Sequence, residues 1–493
     1  MKKIVIIGGG IAGLSAGIYA QLNGFESIIL EKNTIIGGEC IGWEREGCYI
    51  DGCIHWLTGS NSGEINRVWK RVGALENIKI IEPEYLYQYI NGKTIISLYR
   101  DIDKLKEELL SVSKDDSEQI SEFINYIKAL ESMSMPTEPL DQMNLGDLMK
   151  FMKSMKGVSK IVKETSSISL EEYATRFKSE DLKKFILSYM PKDYQLMSFL
   201  VSIATFTSGN GNIPEGKSID FSNRMRDKYL SLGGIIYLNK TVSEIVIKNK
   251  LVEEVITTSK EVFHCDYLIP SCDVDVTFHK LLKNKYNDKK FEKRYLNEKD
   301  NPLISNCYFA YTVDKNVATT LPHMSLLESE GIKVANKNRT TIGLKVYDYI
   351  NNENGLVTAI SPLMQDGEDY DYWESLYKKD KTKYKSEKLR IGEEIRKKFI
   401  LQYPQLEGNI KLIDSATPMT YQRYLGAYKG SYMSFMLTKK SKQMMHNGKI
   451  KNIKNLFMAG QWLITPGGLP TALMSGKFAL QRICKTEKKE FIN

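Results

Sequence analysis

The chain reads as an α/β protein organised around a discontinuous βαβ nucleotide unit. Three stretches predict this: Met1–Glu31, a second glycine turn with the residues after it, and a strand–loop–helix near the far end. In the first, Lys3–Ile7 is the short apolar run of a buried parallel strand. It breaks into Gly8-Gly9-Gly10-Ile11-Ala12-Gly13, a G-x-G-x-x-G pattern, and a helix pattern follows from Leu14 to about Asn23. A second apolar run, Ser27–Leu30, ends at Glu31 and Lys32. Gly8 permits the tight turn, Gly10 lets backbone amides approach a pyrophosphate, and Gly13 lets helix and strand pack closely. Ile11 and Ala12 open the helix, whose free N–H groups and dipole favour phosphate. Glu31 stands where a carboxylate accepts hydrogen bonds from an adenosine ribose. Together these parts make a Rossmann-like dinucleotide unit. Lys2-Lys3 and the small residues up to Ala20 superficially resemble a secretory signal, but the glycines and the spaced acid outweigh that reading.

The 493 residues suffice for two or three domains. No run of about 18 apolar residues is present, so nothing is expected to span a bilayer. Seven cysteines, an odd and scattered set, argue against a disulfide framework and for a cytoplasmic setting. Cys48, Cys53 and His55 hint at a metal site, but no C-x-x-C pair supports one, and no metal is expected. The net charge of +9 suits an anionic membrane surface better than nucleic acid, since no compact basic and aromatic array appears.

Along the chain, Gly37-Gly38-Glu39-Cys40 forms the second glycine turn, and Trp43, Gly47, Asp51-Gly52 and His55-Trp56 follow with strand-like alternation. From Asp101 to Met190 the pattern is helical. Strands are expected at Ile235–Leu238, Val242–Ile247, Val252–Thr257 and His264–Ile269, the last leading to Ser271-Cys272-Asp273. Mixed strands follow over Asn301–Ser361, then a charged helix over Lys385–Phe399. Asn455–Ala459 reads as a buried strand ending at Gly460, Pro466-Gly467-Gly468-Leu469-Pro470 as a tight loop, and Thr471–Cys484 as a helix. A helix N-terminus so far from the first glycine motif is what the ring end of FAD requires, because it stabilises charge on the reduced ring. No second intact G-x-G-x-x-G follows a strand, so one cofactor is expected and its electrons pass to or from a diffusible partner. The expected division is an FAD-binding domain gathered from residues 1–75, 215–295 and 405–493. A mixed α+β substrate domain takes 76–214, mainly a helical insert, and 296–404.

These residues resemble the phytoene desaturase, carotenoid isomerase and retinol saturase branch of FAD-dependent oxidoreductases. Gly37-Gly38-Glu39-Cys40 through Gly47, Asp51-Gly52 and His55-Trp56 looks most like the retinol saturase side. Ile213-Pro214-Glu215-Gly216, Gly233-Gly234 with Val242, Thr417-Pro418 with Arg423-Tyr424, and Gly460–Gly476 add to the likeness. The resemblance implies a flavin fold with an apolar tunnel and chemistry on lipid C=C bonds, with the Val242 backbone bordering the adenine. Many relatives carry Arg after the second Gly-Gly, where it meets the pyrophosphate; this chain has Glu39. The middle third matches no motif, so the substrate is not inherited.

The cofactor contacts expected are Gly8, Gly10, Ile11, Ala12, Gly13, Glu31, Lys32, Gly37, Gly38, Glu39, Cys40, His55, Trp56, Val242, Cys272, Gly460, Gly468, Leu469 and Pro470. Near the flavin, Glu39, His55, Tyr421, Arg423 and Tyr424 are the polar candidates. His55, Arg423 and Tyr424 are taken as the catalytic set, against a packing histidine and a solvated arginine. Leu148, Met149, Phe151, Met152 and Met155 fall on one helix side while Lys150, Lys153, Lys156, Lys160 and Lys163 crowd elsewhere. Such a helix either lies on anionic lipid or faces a core with its lysines in water. Three functions follow: an oxidoreductase on C=C or CH–CH bonds of an apolar polyene or isoprenoid lipid, a redox-neutral double-bond isomerase using reduced flavin, or a flavin-loaded lipid-binding protein without turnover. A polar-substrate relative of amine oxidases is a further outsider.

Overall fold

The computed structural model describes the chain except for Ser134, Asn351 and Glu353, and describes Asp147, Lys150, Phe151, Ser154 and Met155 by backbone alone. The opening unit forms as predicted. Strand β1 (Lys3–Ile7) leads through the glycine turn into helix α1 (Ile11–Leu22), and β2 (Glu26–Leu30) follows parallel to β1. The helix begins three residues earlier than its apolar pattern, because the glycine turn already supplies its first turn. Next comes the hairpin β3 (Gly42–Arg45) and β4 (Cys48–Asp51), which closes through Glu46 and Gly47, both at positive φ.

The predicted helical stretch contains α2 (Ser117–Leu130), α3 (Leu145–Lys156) and α4 (Ser159–Ser166), and α5 (Leu196–Thr207) continues it past Met190. The chain then returns to the first sheet through α6 (Ser218–Ser231), β5 (Ile235–Tyr237) and β6 (Tyr267–Pro270). That sheet is parallel throughout, in the order β5-β2-β1-β6. The single strand expected over His264–Ile269 is instead two. Val262–His264 pairs antiparallel with Leu251–Thr257, while Asp266 turns the corner, its N–H on the Lys3 carbonyl and its carboxylate on the Lys3 N–H.

A seven-stranded sheet runs in the order 410–416, 305–314, 356–365, 337–346, 324–334, 85–91 and 94–99. It is antiparallel except where 324–334 meets 85–91. The charged helix extends over Lys381–Gln402, longer than its predicted span. Asn455–Ala459, expected as a buried strand, lies along β6 as an isolated bridge rather than a regular strand. Leu268, Phe457 and Ala459 donate across the pair, and Pro270, which has no N–H, cannot complete the ladder. Helix α7 (Leu469–Thr486) closes the unit by packing on α1, so close that a Cβ at Gly476 would lie 2.4 Å from the Ala12 carbonyl oxygen. One apolar core joins both ends of the chain, from Ile4 to Cys484.

Candidate active site

A single cavity of about 1140 Å³ runs from the first glycine turn to the N-terminus of α7. At one end Gly8, Gly10, Ile11 and Ala12 line it beside Gly37, Gly38, Glu39 and Cys40. The two glycine turns are bonded to each other by Gly37 N–H on the Gly9 carbonyl, 2.8 Å. Gly8 stands at φ +106°, and a Cβ at Gly13 would lie 2.0 Å from the Gly8 carbonyl oxygen, so helix and turn touch backbone to backbone. Gly13 itself therefore packs beneath the cavity rather than lining it. No side chain caps α1, whose first-turn N–H donors open onto the cavity. Glu31 is buried, accepts the Gly9 and Asn33 N–H groups at 2.7 and 2.8 Å, and faces the same space with Lys32.

At the far end Gly460, Gly468, Leu469 and Pro470 line the cavity, and α7, like α1, starts without a side-chain cap. Gln461 ties this end to the second glycine turn. Its Nε2 donates to Glu39 at 2.9 Å, and its Oε1 accepts the Gly468 N–H at 2.9 Å. Val242 and Cys272 border the space between, with Asp273 beside them. The Asp273 carboxylate accepts N–H groups of Asp275 and Tyr428, yet burial pushes its pKa up to about 7. Burial, reinforced by Asp273, pushes Glu39 up to about 8 against the hydrogen bond from Gln461.

His55 and Trp56 line the cavity. The His55 ring is clamped at both nitrogens, 3.1 Å from the Tyr308 hydroxyl and 3.2 Å from that of Tyr347. Burial, helped by Lys345, lowers its pKa to about 4, so at neutral pH the ring is uncharged. Both nitrogens being engaged, His55 fixes the wall here. Arg423 and Tyr424 lie outside the cavity lining and are reassigned to the surface. The guanidinium sits over the Tyr377 ring at 5.2 Å, and Tyr424 is 58% exposed. Their helix reaches the cavity through Leu425, Gly426 and Ala427 instead. Tyr421 is partly buried, with its ring 6.0 Å from that of Tyr308.

The remaining wall is mainly apolar; Met133 and Met135 belong to the methionine-rich stretch before α3, which suits flexible apolar chains, and the other residues carry no motif. Leu130, Met133, Met135, Ile65, Val201, Met433 and Met445 come from five separate stretches. Gln461 directly after Gly460, and Asp273 directly after Cys272, carried a signal by adjacency to motif residues. Among the described residues, no three His, Cys, Asp or Glu side chains are placed to hold a metal ion.

Fold and site together define a class, that of dinucleotide-binding oxidoreductases. Residues 6–72 match the NAD(P)-binding Rossmann-like domain family. The chain is 22% identical to the 4,4'-diaponeurosporene oxygenase of Staphylococcus haemolyticus over 99% of its own length and 98% of that protein. It is 23% identical to a lycopene-forming phytoene desaturase of Pseudescherichia vulneris over 57% of this chain and 58% of the other. A chloroplastic prolycopene isomerase of Daucus carota is 22% identical over 87% of this chain and 71% of that one. Among solved structures, an oxidoreductase of Methanosarcina mazei shares the fold with a TM-score of 0.63 at 14% identity, covering 97% of this chain and all of the other, 100%. The resemblance to carotenoid desaturase- and isomerase-like flavin oxidoreductases is borne out at the level of the family.

Proposed function

We propose that this protein is an FAD-dependent oxidoreductase acting on C=C or CH–CH bonds of an apolar polyene or isoprenoid lipid. The observation that carries this reading is one cavity with an uncapped helix N-terminus at each end and a mainly apolar wall of Met, Leu, Ile, Val and Trp besides. The fit to a dinucleotide rests on glycine contacts a Cβ would fill and on Glu31, whose oxygens face the cavity while holding the turn. Gly8–Ala12 and Gly37–Cys40 would hold the diphosphate, Glu31 the ribose, and Gly460 with Gly468–Pro470 the ring end. FAD, when bound, supplies hydride exchange at its N5. The chain itself orients the lipid along the apolar wall, excludes water, and keeps His55 neutral between its two tyrosines. Similarity to a prolycopene isomerase over most of the chain favours a second reading, double-bond isomerisation with reduced flavin and no net electron transfer.

The test uses FAD-loaded protein, chemically reduced without oxygen and mixed with retinoids, carotenoids and unsaturated fatty acids. Return of the oxidised-flavin band with a saturated product is expected for a reductase, and rearranged double bonds without that return for the isomerase. If no lipid reacts with either the reduced or the oxidised protein, the assignment to lipid C=C chemistry fails.

We also propose that α3 rests on an anionic bilayer surface. No helix among the described residues is long and apolar enough to cross a membrane. Yet α3 exposes Leu145 at 75% and Met149 and Met152 at 63% each, and it follows closely in the chain after Met133, Met135 and Pro136, which line the cavity. Lys153 and Lys156 of α3 add the matching charge; the single helix read over Leu148–Lys163 is broken at Gly157-Val158, so Lys160 and Lys163 stand on α4, and the side chains of Lys150, Phe151 and Met155 lie outside the described residues. Replacing Lys153, Lys156 and Lys160 with Glu should weaken co-sedimentation with anionic vesicles at least about tenfold, since each basic group near such a surface contributes about 1 kcal/mol. Unchanged co-sedimentation would count against the bilayer.

A further inference from the structure

Glu39 stands where a carboxylate is a poor neighbour for a dinucleotide. Its turn is bonded to the first glycine turn, and a Cβ at Gly38 would lie 3.1 Å from the Gly10 Cα, so the two turns form one cradle. The Glu39 carboxyl faces the cavity from the edge of that cradle. One oxygen accepts from Gln461, which is itself anchored to the Gly468 N–H and the Tyr432 carbonyl. Among the described residues, no Lys, Arg or His lies within ion-pair distance of Glu39. Of the cavity lysines, Lys240 is committed to Glu261, while Lys32 and Lys280 lie towards the Glu31 end. The titratable groups that face Glu39 bring no positive charge: Asp273 across the cavity, Cys53 with Cys40 beside it, and the Tyr421 phenol. Neutral His55 lines the same wall.

An ionised Glu39 would thus oppose a diphosphate with no cation between them, in a buried site where charge repulsion is poorly screened. We propose that Glu39 binds the cofactor as a carboxylic acid, donating its proton in a hydrogen bond to the anionic diphosphate. This rests on the dinucleotide reading of the cavity. Where relatives of the resemblance place a fixed cation, this chain places a neutralisable acid. The burial that holds Glu39 near 8 supports this role, because the acid form prevails at neutral pH.

The sign follows from linkage. Below the Glu39 pKa the acid is already protonated, and binding exchanges no proton there. Above it, binding must first take up one proton, and affinity falls about tenfold per pH unit, to about thirtyfold weaker at about pH 9.5. The experiment titrates flavin-free protein with FAD across this range, following the quenching of flavin fluorescence. Calorimetry in two buffers of different ionisation enthalpy measures the proton taken up. The expected result is a falling affinity above pH 8 and uptake approaching one proton in the wild-type protein. Glu39→Gln should flatten the curve above pH 8, keeping only the part due to Asp273 at lower pH. Binding with no slope and no proton uptake in the wild-type protein would overturn the proposal, as would a slope that survives in Glu39→Gln. Binding at no pH would instead overturn the dinucleotide reading, and this role with it.

Discussion

A Gly13→Ala protein is expected to purify without bound flavin and with a lowered thermal midpoint. The added Cβ would lie 2.0 Å from the Gly8 carbonyl oxygen and 2.7 Å from Ser271 Oγ. Ser271 has no slack to give, because its hydroxyl donates to the Ile7 and Gly8 carbonyls at 2.9 Å each. Nor can Gly8 retreat, since its N–H is bonded to the Leu30 carbonyl at 2.9 Å and its φ is positive. The only relief is to lift α1 off β1, which tilts the N–H donors away from the cavity and opens the α1–α7 contact. Overpacking of this kind typically costs about 1–3 kcal/mol, and here the displaced element is the binding element itself. The check is the ratio of flavin to protein absorbance together with a thermal melt. Gly157→Ala, with nothing within 4 Å of the added carbon, serves as the control and should change neither. Retention of flavin by Gly13→Ala would refute the close-packing argument.

Asp51→Ala is expected to loosen the wall that carries His55, at a cost of about 3 kcal/mol. Asp51 is buried and accepts three bonds: the Ser218 N–H at 2.7 Å, the Ser218 hydroxyl at 2.5 Å and the Cys53 N–H at 3.1 Å. Ser218 in turn accepts the Ile54 N–H at 2.9 Å, so hairpin, His55 segment and the start of α6 share one knot. Burial raises the Asp51 carboxyl above its usual range while these bonds pull it back. Alanine leaves two backbone donors in the interior without partners, each costing about 1–3 kcal/mol. Asparagine keeps one acceptor and should recover part of the loss. Urea unfolding, with hydrogen exchange over residues 51–56, measures both. A destabilisation under about 0.5 kcal/mol, the scale of an ordinary surface change, would contradict the shared knot.

What was legible in the chain follows from how local each cause is. Gly8–Glu31 could be read because turn, helix start and acid act on one another within a single βαβ unit. The helical insert and the strands after Gly233 were legible for the same reason, through periodicity. Tyr308–His55–Tyr347 was not, since its three parts lie far apart in the sequence and no spacing rule connects them. The reassignment of Arg423 and Tyr424 has the same origin: a motif-like dipeptide fixes the helix but not which face meets the cavity. Most of the apolar wall was illegible because dispersion and hydrophobic contact are non-directional, so Ile65, Val201 and Met445 carry no mark of their joint use with Met133 and Met135. Pro270 shows the converse, a single residue that could have told in advance why Asn455–Ala459 pairs only in part.

The contact between α1 and α7 also sets an order of events during synthesis. Ser15 donates to the Leu473 carbonyl at 2.8 Å, and Gly476 lies on Ala12, so the floor beneath the first glycine turn comes from the far end of the chain. At ribosomal rates of about 5–20 residues per second, Ile4–Ile7 and Ile11–Ala20 wait roughly half a minute to a minute and a half for it. During that interval β2, α6 and β6 can cover β1 and one side of α1, while the side of α1 that meets α7 stays open. On the dinucleotide reading, retention of a nucleotide would wait for Leu469–Thr486 to emerge, and a ribosome stalled before Gly460 would display the fingerprint without the helix that floors it.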